Sequence, residues 1–416
     1  MRGPDLHSER VNMGHPVTKS SSVVRDLRGA SQLAVDAVAG VTDIVEAMHR
    51  NIAGLAPIVG DSRQGPTRGI TALVYGSVRS VTKWVGAGLD MALGQLAPLL
   101  GSADSSPRRE AVLAALNGVL GDYLLESNNP LAIQMSLRQH GRPLRLEAQA
   151  LAAGMGNPAG KLLVLAHGLC MNDLQWSRGD HDHGAMLAQE LGYTALYLHY
   201  NSGCHISTNG QKFANLLEQL VQTWPVPVTE LVIVGHSMGG LVSRSACHYA
   251  GQAGQIWLAC LKKMVFIGTP HHGAPLERVG SWVDILLGIS PYTAPFSRLG
   301  KIRSAGIKDL RHGNLLDADW AEQDRGHTHD ARTPVPLPDG VTCFAMAATK
   351  QRVPGPAHRR TQSDGLVPVG SALGLHEDAA LQLPIAPDHQ SVHYGLDHFA
   401  LLSSREVFAR LKTWLA

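Results

Sequence analysis

The residue with the clearest chemical potential is Ser237, which lies within the pentapeptide Gly-His-Ser-Met-Gly. An apolar run at residues 231–234 precedes it and a helix-compatible segment at 241–250 follows it, so the pattern predicts a strand that turns sharply into a helix. We expect that positions 235 and 239 require glycine, because a Cβ on either residue would collide with the neighbouring strand or helix. At the start of a helix, the dipole and the free N–H groups favour a developing negative charge. The pattern therefore predicts a nucleophilic serine at the apex of the turn.

A nucleophilic serine needs a base to take its proton, a carboxylate to orient that base, and donors for the oxyanion. Behind such a strand–serine–helix turn, the acid and then the histidine follow along the chain. Asp364 lies on a Gly/Pro turn after the apolar strand 341–348, and His398 lies directly before a final amphipathic helix at 404–415. We predict that Asp364 is the orienting acid and that His398 is the base.

Both assignments have rivals in the sequence. The chain has 21 histidines, and His393 is the main alternative base because it lies near His398. The alternative acids lie in a segment that we interpret as a lid, and they are Asp317, Asp319 and Asp330. The position before the last helix favours His398, and the turn after a strand favours Asp364.

The oxyanion hole requires two backbone donors. One donor is expected to be the N–H of Met238, the residue after the nucleophile. The other is expected to be the N–H of Leu169, because His167-Gly168 leaves the buried strand 161–166 and lets the backbone bend toward the serine. For the side chain of His167 itself we expect a structural role in holding this loop.

Two histidine-rich runs resemble metal ligands. Consecutive side chains cannot all point at one ion, so Asp180-His181-Asp182-His183 predicts an acidic cap at a helix N-terminus. His271-His272 predicts a turn after a strand. We therefore expect no metal and no cofactor.

Composition limits the class of protein. The 416 residues are 44% hydrophobic and carry a net charge of +2 with both signs mixed, which gives no indication of a nucleic-acid partner. The five cysteines show no metal-binding or scaffold spacing, and whether Cys170 and Cys204 pair stays open. The polar start lacks the apolar core of a signal peptide, and no apolar run is long enough to span a bilayer, so a cytoplasmic enzyme is expected.

The N-terminal third has its own pattern. Residues 1–22 are polar and predict disorder, whereas apolar residues recur at helical spacing over 23–55, 69–97 and 108–125. These three helices predict a helical module at 23–126 that docks on the catalytic domain. The alternative is peripheral contact with a membrane surface, but acidic residues on the polar faces mean that none of these faces is basic.

The remaining residues, 127–416, predict an α/β fold. An antiparallel hairpin at 131–146 is followed by alternating strands and helices, which indicates a mostly parallel sheet with helices on both faces. The long excursion at 275–335 predicts a lid inserted after the sixth strand. Its apolar residues over a serine site indicate a substrate with an apolar acyl chain.

These motifs together resemble the lipase/esterase branch of the α/β-hydrolase superfamily, and in particular the PGAP1-like alpha/beta domain and bacterial triacylglycerol lipases. The motifs are Ala-His-Gly-Leu at 166–169, Gly-His-Ser-Met-Gly-Gly-Leu at 235–241, Ile-Gly-Thr-Pro-His-His-Gly-Ala-Pro at 267–275, Ser-Asp-Gly-Leu-Val-Pro at 363–368 and Asp-His-Phe at 397–399. The resemblance implies Ser237 as nucleophile, His398 as base and Asp364 as orienting acid.

The function predicted is hydrolysis of carboxylic esters through an acyl-enzyme, with a small-molecule or lipid ester as substrate. One alternative is acyl transfer by the same residues, with an alcohol in place of water. The other is an interaction protein, acting at a membrane surface or on a partner, in which the hydrolase fold is passive.

Overall fold

The computed structural model describes residues 107–155, 158–273, 304–323, 332–353 and 362–416. The predicted disorder at 1–22, the predicted helices at 23–55 and 69–97, and most of the lid at 275–335 lie outside the described residues. The domain division at residue 126 therefore stays a prediction, although the helix before that boundary is described.

The core of the described part is an eight-stranded sheet with an additional two-stranded hairpin. The strands are β1 (Ser136–Gln139), β2 (Arg142–Pro143), β3 (Lys161–Ala166), β4 (Ser177–Arg178), β5 (His181–Asp182), β6 (Thr194–His199), β7 (Glu230–His236), β8 (Leu261–Ile267), β9 (Thr342–Thr349) and β10 (Gln390–Tyr394). The sheet order is β10-β9-β8-β7-β3-β6-β1-β2, and β4 pairs with β5. All pairings from β10 to β6 are parallel, whereas β1 is antiparallel to both β6 and β2.

Helices cover both faces of the sheet. They are α1 (Pro107–Glu126), α2 (Ala148–Gly154), α3 (His183–Leu191), α4 (Ile206–Thr223), α5 (Met238–Ala253), α6 (Trp257–Cys260), α7 (Ala305–His312), α8 (Asp317–Gln323), α9 (Val369–Ala372) and α10 (Arg405–Leu415). One apolar core lies between the sheet and α4, α5 and α1, and a second lies between the sheet and α3 and α10. The predicted α/β fold with helices on both faces is confirmed.

The central strands are apolar without alternation because they are buried on both faces. In β3, every residue from Leu162 to Ala166 is buried, and β7 is buried from Leu231 onward. Parallel strands between two helical layers have this composition. The register pairs Ala166 with Gly235, so the ends of β3 and β7 meet at the same edge of the sheet.

The helix α1 is packed into the apolar core on one face of the sheet. It confirms the helix predicted at 108–125, but its burial is not that of an amphipathic surface helix, since 12 of its 20 residues are buried, including every residue from Val112 to Gly121. Its apolar side chains belong to the same core as α4 and α5. The reason lies in its position, because α1 has the turn after β6 on one side and the start of α7 on another. Among the described residues, no helix has the length and apolarity needed to cross a membrane.

Candidate active site

Ser237 occupies the sharp turn between β7 and α5. Its backbone has φ 53° and ψ −124°, a conformation that non-glycine residues rarely adopt and that marks a strained turn. The Ser237 N–H donates a hydrogen bond of 2.9 Å to the carbonyl of Ile267, which fixes the turn against the end of β8. The serine is 2% exposed in the described part of the chain. The predicted strand–serine–helix turn is present.

The two glycines beside Ser237 are required by close backbone contacts. A Cβ at Gly235 would lie 2.6 Å from the Cα of Gly240, in the first turn of α5. A Cβ at Gly239 would overlap the carbonyl oxygen of Ala166 and lie 2.6 Å from its carbon, at the end of β3. Both distances are shorter than real Cβ contacts, so the close packing of β3, β7 and α5 depends on these glycines. This confirms the reason given for them from the sequence.

Asp364 and His398 form a buried pair. The Asp364 Oδ2 lies 2.7 Å from the His398 Nδ1, and both residues are 1% exposed. The other carboxylate oxygen, Oδ1, accepts hydrogen bonds from the N–H groups of Leu366 and Val367, at 2.8 and 2.7 Å. The backbone also joins the two residues, since the His398 N–H donates to the Asp364 carbonyl at 3.2 Å. The Asx-type turn of residues 364–367 thus aims the carboxylate at the imidazole.

The pair lies at the same edge of the sheet as Ser237. A Cβ at Gly268, the residue after Ile267, would lie 3.1 Å from the His398 Cε1. The His236 ring, next to Ser237 in the chain, has its centroid 4.7 Å from that of His398. The structure therefore joins the predicted acid to the predicted histidine, and it places this pair at the sheet edge that also holds the predicted serine.

The rival residues have other partners. His393 lies on β10, where its Nδ1 is 3.2 Å from the Glu406 Oε1 and its Nε2 is 3.1 Å from the Ser391 Oγ. Asp319 accepts backbone hydrogen bonds at the start of α8, and Asp317 accepts one from the Gln211 side chain. Asp330 lies outside the described residues.

The loop after β3 carries the predicted second oxyanion donor. The Leu169 N–H donates to no acceptor among the described residues, and Leu169 is 1% exposed. Met238 is the first residue of α5, so its N–H has no acceptor within the helix. A Cβ at Gly168, beside Leu169, would lie 3.1 Å from the Ser237 Cβ, which shows how closely this loop approaches the serine.

Two further buried histidines surround the site. Burial lowers the pKa of His236 well below its usual value, and the neighbouring His398 lowers it further. Burial also lowers the pKa of His167 to about 3, against a hydrogen bond to the Gly168 carbonyl that favours its protonation. Both imidazoles therefore stay neutral near pH 7, and neither repels a positive charge that develops on His398. The structural role expected for His167 fits its contacts, since its Nδ1 donates to the Gly168 carbonyl at 2.8 Å and its ring stacks on Tyr200.

Sequence reasoning missed the residues that hold the His398 loop. The His236 Nε2 lies 3.3 Å from the His398 carbonyl oxygen, and Trp176 meets the His236 ring edge-on. The guanidinium of Arg178 lies 5.2 Å above the ring of Phe399. His236 was visible as part of the serine motif. Trp176 and Arg178 have no local signal, because they reach the site only through the fold.

The histidine-rich runs have the structures predicted for them. Asp182 caps the N-terminus of α3, where its Oδ1 accepts a hydrogen bond of 2.9 Å from the Ala185 N–H. His271 lies in a turn after β8, and burial lowers its pKa well below the usual value. Within the described ranges, no three His, Cys, Asp or Glu side chains are grouped as they would be around a metal ion. The five cysteines are free thiols, Cys170 and Cys204 among them.

Comparison with known proteins adds the following similarities. Residues 186–342 match the family model of the PGAP1-like alpha/beta domain. The mature lipase BlEst2 of Bacillus licheniformis is 18% identical with a TM-score of 0.42, over 68% of this chain and 98% of that chain. An ester hydrolase from the metagenome of Lake Arreo is 13% identical with a TM-score of 0.38, over 78% of this chain and 95% of that chain. An esterase of Pyrococcus furiosus is 13% identical with a TM-score of 0.36, over 62% of this chain and 80% of that chain. No curated protein matches the chain.

The family match agrees with the site, because residues 186–342 include Ser237 and the turn that holds it. Asp364 and His398 lie beyond the matched range, so their pairing is known from the structure alone. Identities and TM-scores as low as those of the solved structures say nothing about the substrate. The resemblance to the PGAP1-like alpha/beta domain that the sequence indicated is confirmed over residues 186–342, and the described strands form the mostly parallel sheet expected for that domain.

Proposed function

We propose that this protein is a serine hydrolase of carboxylic esters, with Ser237 as nucleophile, His398 as general base and Asp364 as orienting acid. The observation that carries the proposal is the buried 2.7 Å contact between Asp364 and His398 at the sheet edge that also holds Ser237 in a strained turn. A carboxylate bound to Nδ1 fixes the imidazole tautomer and leaves Nε2 as the atom that exchanges the proton.

The reaction follows from this arrangement. His398 Nε2 takes the proton of the Ser237 hydroxyl, and the oxygen attacks the ester carbonyl carbon. The N–H groups of Leu169 and Met238 stabilise the oxyanion. The tetrahedral intermediate collapses, and His398 returns the proton to the leaving alcohol. Water, activated by the same histidine, then attacks the acyl-enzyme and releases the carboxylic acid.

For the substrate we propose an ester with an apolar acyl chain. The apolar residues of the predicted lid at 282–289 support this, although they lie outside the described residues. In the described part, the N-terminal turn of α7 packs on the oxyanion residue, since a Cβ at Gly306 would lie 3.1 Å from the Met238 Cε. Ile307 in the same turn is buried. Apolar side chains thus pack around the Met238 donor, and apolar surroundings suit an apolar acyl chain.

The decisive experiment combines covalent labelling with mutation. The wild-type protein is expected to react with a fluorophosphonate and to hydrolyse p-nitrophenyl esters, and a chain-length series of these esters reports the acyl preference. Ser237→Ala removes the nucleophile, which is expected to lower kcat on the order of 10⁶-fold and to abolish labelling. Ser243→Ala is the matched control, because Ser243 is a buried serine on α5 whose hydroxyl donates to the Gly239 carbonyl at 2.7 Å. Labelling that persists in Ser237→Ala would refute the nucleophile assignment.

A further inference from the structure

The loop that carries Leu169 is held by side chains from several elements. We define residues 167–171 as the oxyanion loop. Tyr200 donates a hydrogen bond of 2.8 Å from its hydroxyl to the His167 carbonyl. The Cys170 N–H donates to the Ser202 Oγ at 3.0 Å. These two bonds fix the peptide planes on either side of the one that carries the Leu169 N–H, so a displacement of Cys170 would turn that N–H.

Cys170 has an unusual backbone conformation. Its φ is +57°, in the left-handed region that favours glycine, asparagine and aspartate over other residues. A cysteine remains in this conformation only when its surroundings determine it. Cys170 is 5% exposed, and burial raises the pKa of its thiol to about 12. The thiol is therefore a packing group and not a reactive one.

The packing partner of Cys170 is the helix α1. A methyl group at Gly118, in the middle of this helix, would overlap the Cys170 Sγ and lie 3.0 Å from the Cys170 Cα. Glycine in a helix interior costs about 0.5–1 kcal/mol relative to alanine. A buried helical glycine is thus explained by a close approach, and here the approaching residue is Cys170, through its Sγ and its Cα.

The position of α1 is fixed on its other sides by polar contacts. Ser304, which caps α7, donates from its Oγ to the Gly118 carbonyl at 2.7 Å. Asn201, at the turn after β6, donates to the Gly121 carbonyl at 2.9 Å. Both bonds are buried, and they hold the central turn of α1 where it meets Cys170.

A buried charge network fixes the first turns of the same helix. Arg138 on β1 lies 2.9 Å from the Glu110 Oε2 of α1 and 3.1 Å from the Asp173 Oδ1. Burial opposes ionisation of Asp173, but the hydrogen bond with His199 and the charge of Arg138 hold its pKa below the ordinary value. Paired charges of this kind cannot be separated without leaving an uncompensated buried charge, so α1 is anchored in one position.

We infer that α1 is a positioning element of the oxyanion hole, and that Gly118 sets the place of Cys170 and thereby the direction of the Leu169 N–H. The inference rests on the proposed function, since it assigns a role to α1 in that reaction. Gly118 touches neither substrate nor reacting atoms. Its effect passes through one contact, with Cys170.

The test is Gly118→Ala in the full chain, with kcat and KM measured on a short p-nitrophenyl ester. Complete loss of one oxyanion donor costs about 10²–10³-fold in kcat, so a displaced donor is expected to cost about 10- to 100-fold. The KM is expected to stay within about twofold, because the oxyanion interaction forms in the transition state. An alkylboronic acid, which places an oxygen in the same hole, is expected to bind more weakly by a similar factor.

A compensating variant separates positioning from general damage. Cys170→Gly removes the sulfur and the Cβ that the new methyl group meets, and glycine accepts the positive φ. The double variant Gly118→Ala/Cys170→Gly is therefore expected to regain the kcat of Cys170→Gly alone. Val112→Ala is the matched control, since it opens a cavity in α1 two turns away and is expected to lower stability without lowering kcat.

The outcomes are distinct. Unchanged kcat in Gly118→Ala, or a loss that Cys170→Gly does not relieve, overturns the inference. If Gly118→Ala does not fold, Cys170→Ala takes its place, because it withdraws the sulfur without creating an overlap: lower kcat at constant KM supports the inference, and unchanged kcat overturns it. A wild-type protein that neither hydrolyses esters nor reacts with a fluorophosphonate refutes the proposed function instead.

Discussion

Replacement of Asn117 by alanine tests whether α1 belongs to the hydrolase domain. Asn117 is fully buried on this helix and joins it to the segment before β1. Its Nδ2 donates to the carbonyls of Leu113 and Leu131, both at 2.9 Å, and its Oδ1 accepts from the Ile133 N–H at 2.9 Å. No aliphatic side chain can replace these three bonds.

The size of the effect follows from the groups left behind. In Asn117→Ala, the carbonyl of Leu131 loses its donor and the N–H of Ile133 loses its acceptor. A buried partner left unsatisfied costs about 1–3 kcal/mol, and the half-buried Ile133 N–H adds less than the buried Leu131 carbonyl, so the free energy of unfolding is expected to fall by about 2–4 kcal/mol. The Leu113 carbonyl adds little, because the backbone of the helix already supplies a donor to it.

Urea unfolding measures this change. Tryptophan fluorescence reports the core around the sheet, because Trp176 and Trp257 are fully buried there, and the loss of ester hydrolysis gives a second probe. We expect the midpoint to fall in both probes at an unchanged slope. Glu126→Ala is the control, since this exposed residue at the end of α1 is expected to change stability by less than about 0.5 kcal/mol. A change below about 1 kcal/mol in Asn117→Ala, or a separate transition that leaves ester hydrolysis and most of the tryptophan fluorescence in place, would show that α1 is not part of the core around the sheet.

Three further predictions concern the site and the pH dependence of stability. His398→Ala is expected to remove ester hydrolysis almost completely and His393→Ala to reduce it only slightly, and the reverse ranking in kcat would transfer the base role to His393. Asp364→Asn is expected to lower kcat roughly 10⁴-fold at nearly unchanged folding, because it permits the wrong imidazole tautomer, and near-wild-type kcat would exclude it as the acid. Burial lowers the pKa of His183 from 6.5 to about 4, so the folded state favours the neutral form; its contribution is full above pH 6.5 and is lost as the pH falls to about 4. Denaturant unfolding at a series of pH values between 4 and 6.5 measures how steeply the free energy of unfolding rises with pH. This rise is expected to be smaller in His183→Gln than in the wild type by up to about 1.4 kcal/mol per pH unit, and an equal rise in both proteins would contradict the prediction.

The predicted membrane contact through residues 23–126 remains a proposal. Because α1 is part of the hydrolase core, the informative truncation starts at residue 107 and keeps this helix. If residues before 107 bind a membrane, the chain 107–416 should lose binding to liposomes and keep hydrolysis of a soluble short ester. Equal liposome binding by both chains would exclude this part of the sequence as the contact.

The sequence by itself determined the features that depend on local chemistry. The turn at Ser237 is specified by its two glycines, since only residues without a Cβ fit between β3, β7 and α5. The central strands of the sheet are specified by apolar runs, so β3 begins and ends where the pattern placed it. The Asp364 turn is also local, because its carboxylate binds N–H groups two and three residues ahead.

Only the tertiary structure decided which histidine meets Asp364. His393 and His398 are five residues apart and both are buried, so neither burial nor spacing distinguishes them. The end of β10 directs His393 toward Glu406 on α10, and the following loop returns His398 to Asp364, 34 positions earlier in the chain.

The tertiary structure also decided what α1 does. Its helical periodicity is visible in the sequence, but periodicity does not say what a helix packs against. The contacts that make it part of the hydrolase join residues far apart in the chain: Asn201 meets Gly121 across 80 positions and Ser304 meets Gly118 across 186. Close packing of that kind depends on shape and buried hydrogen bonds between distant segments, and no local pattern of residue types records it.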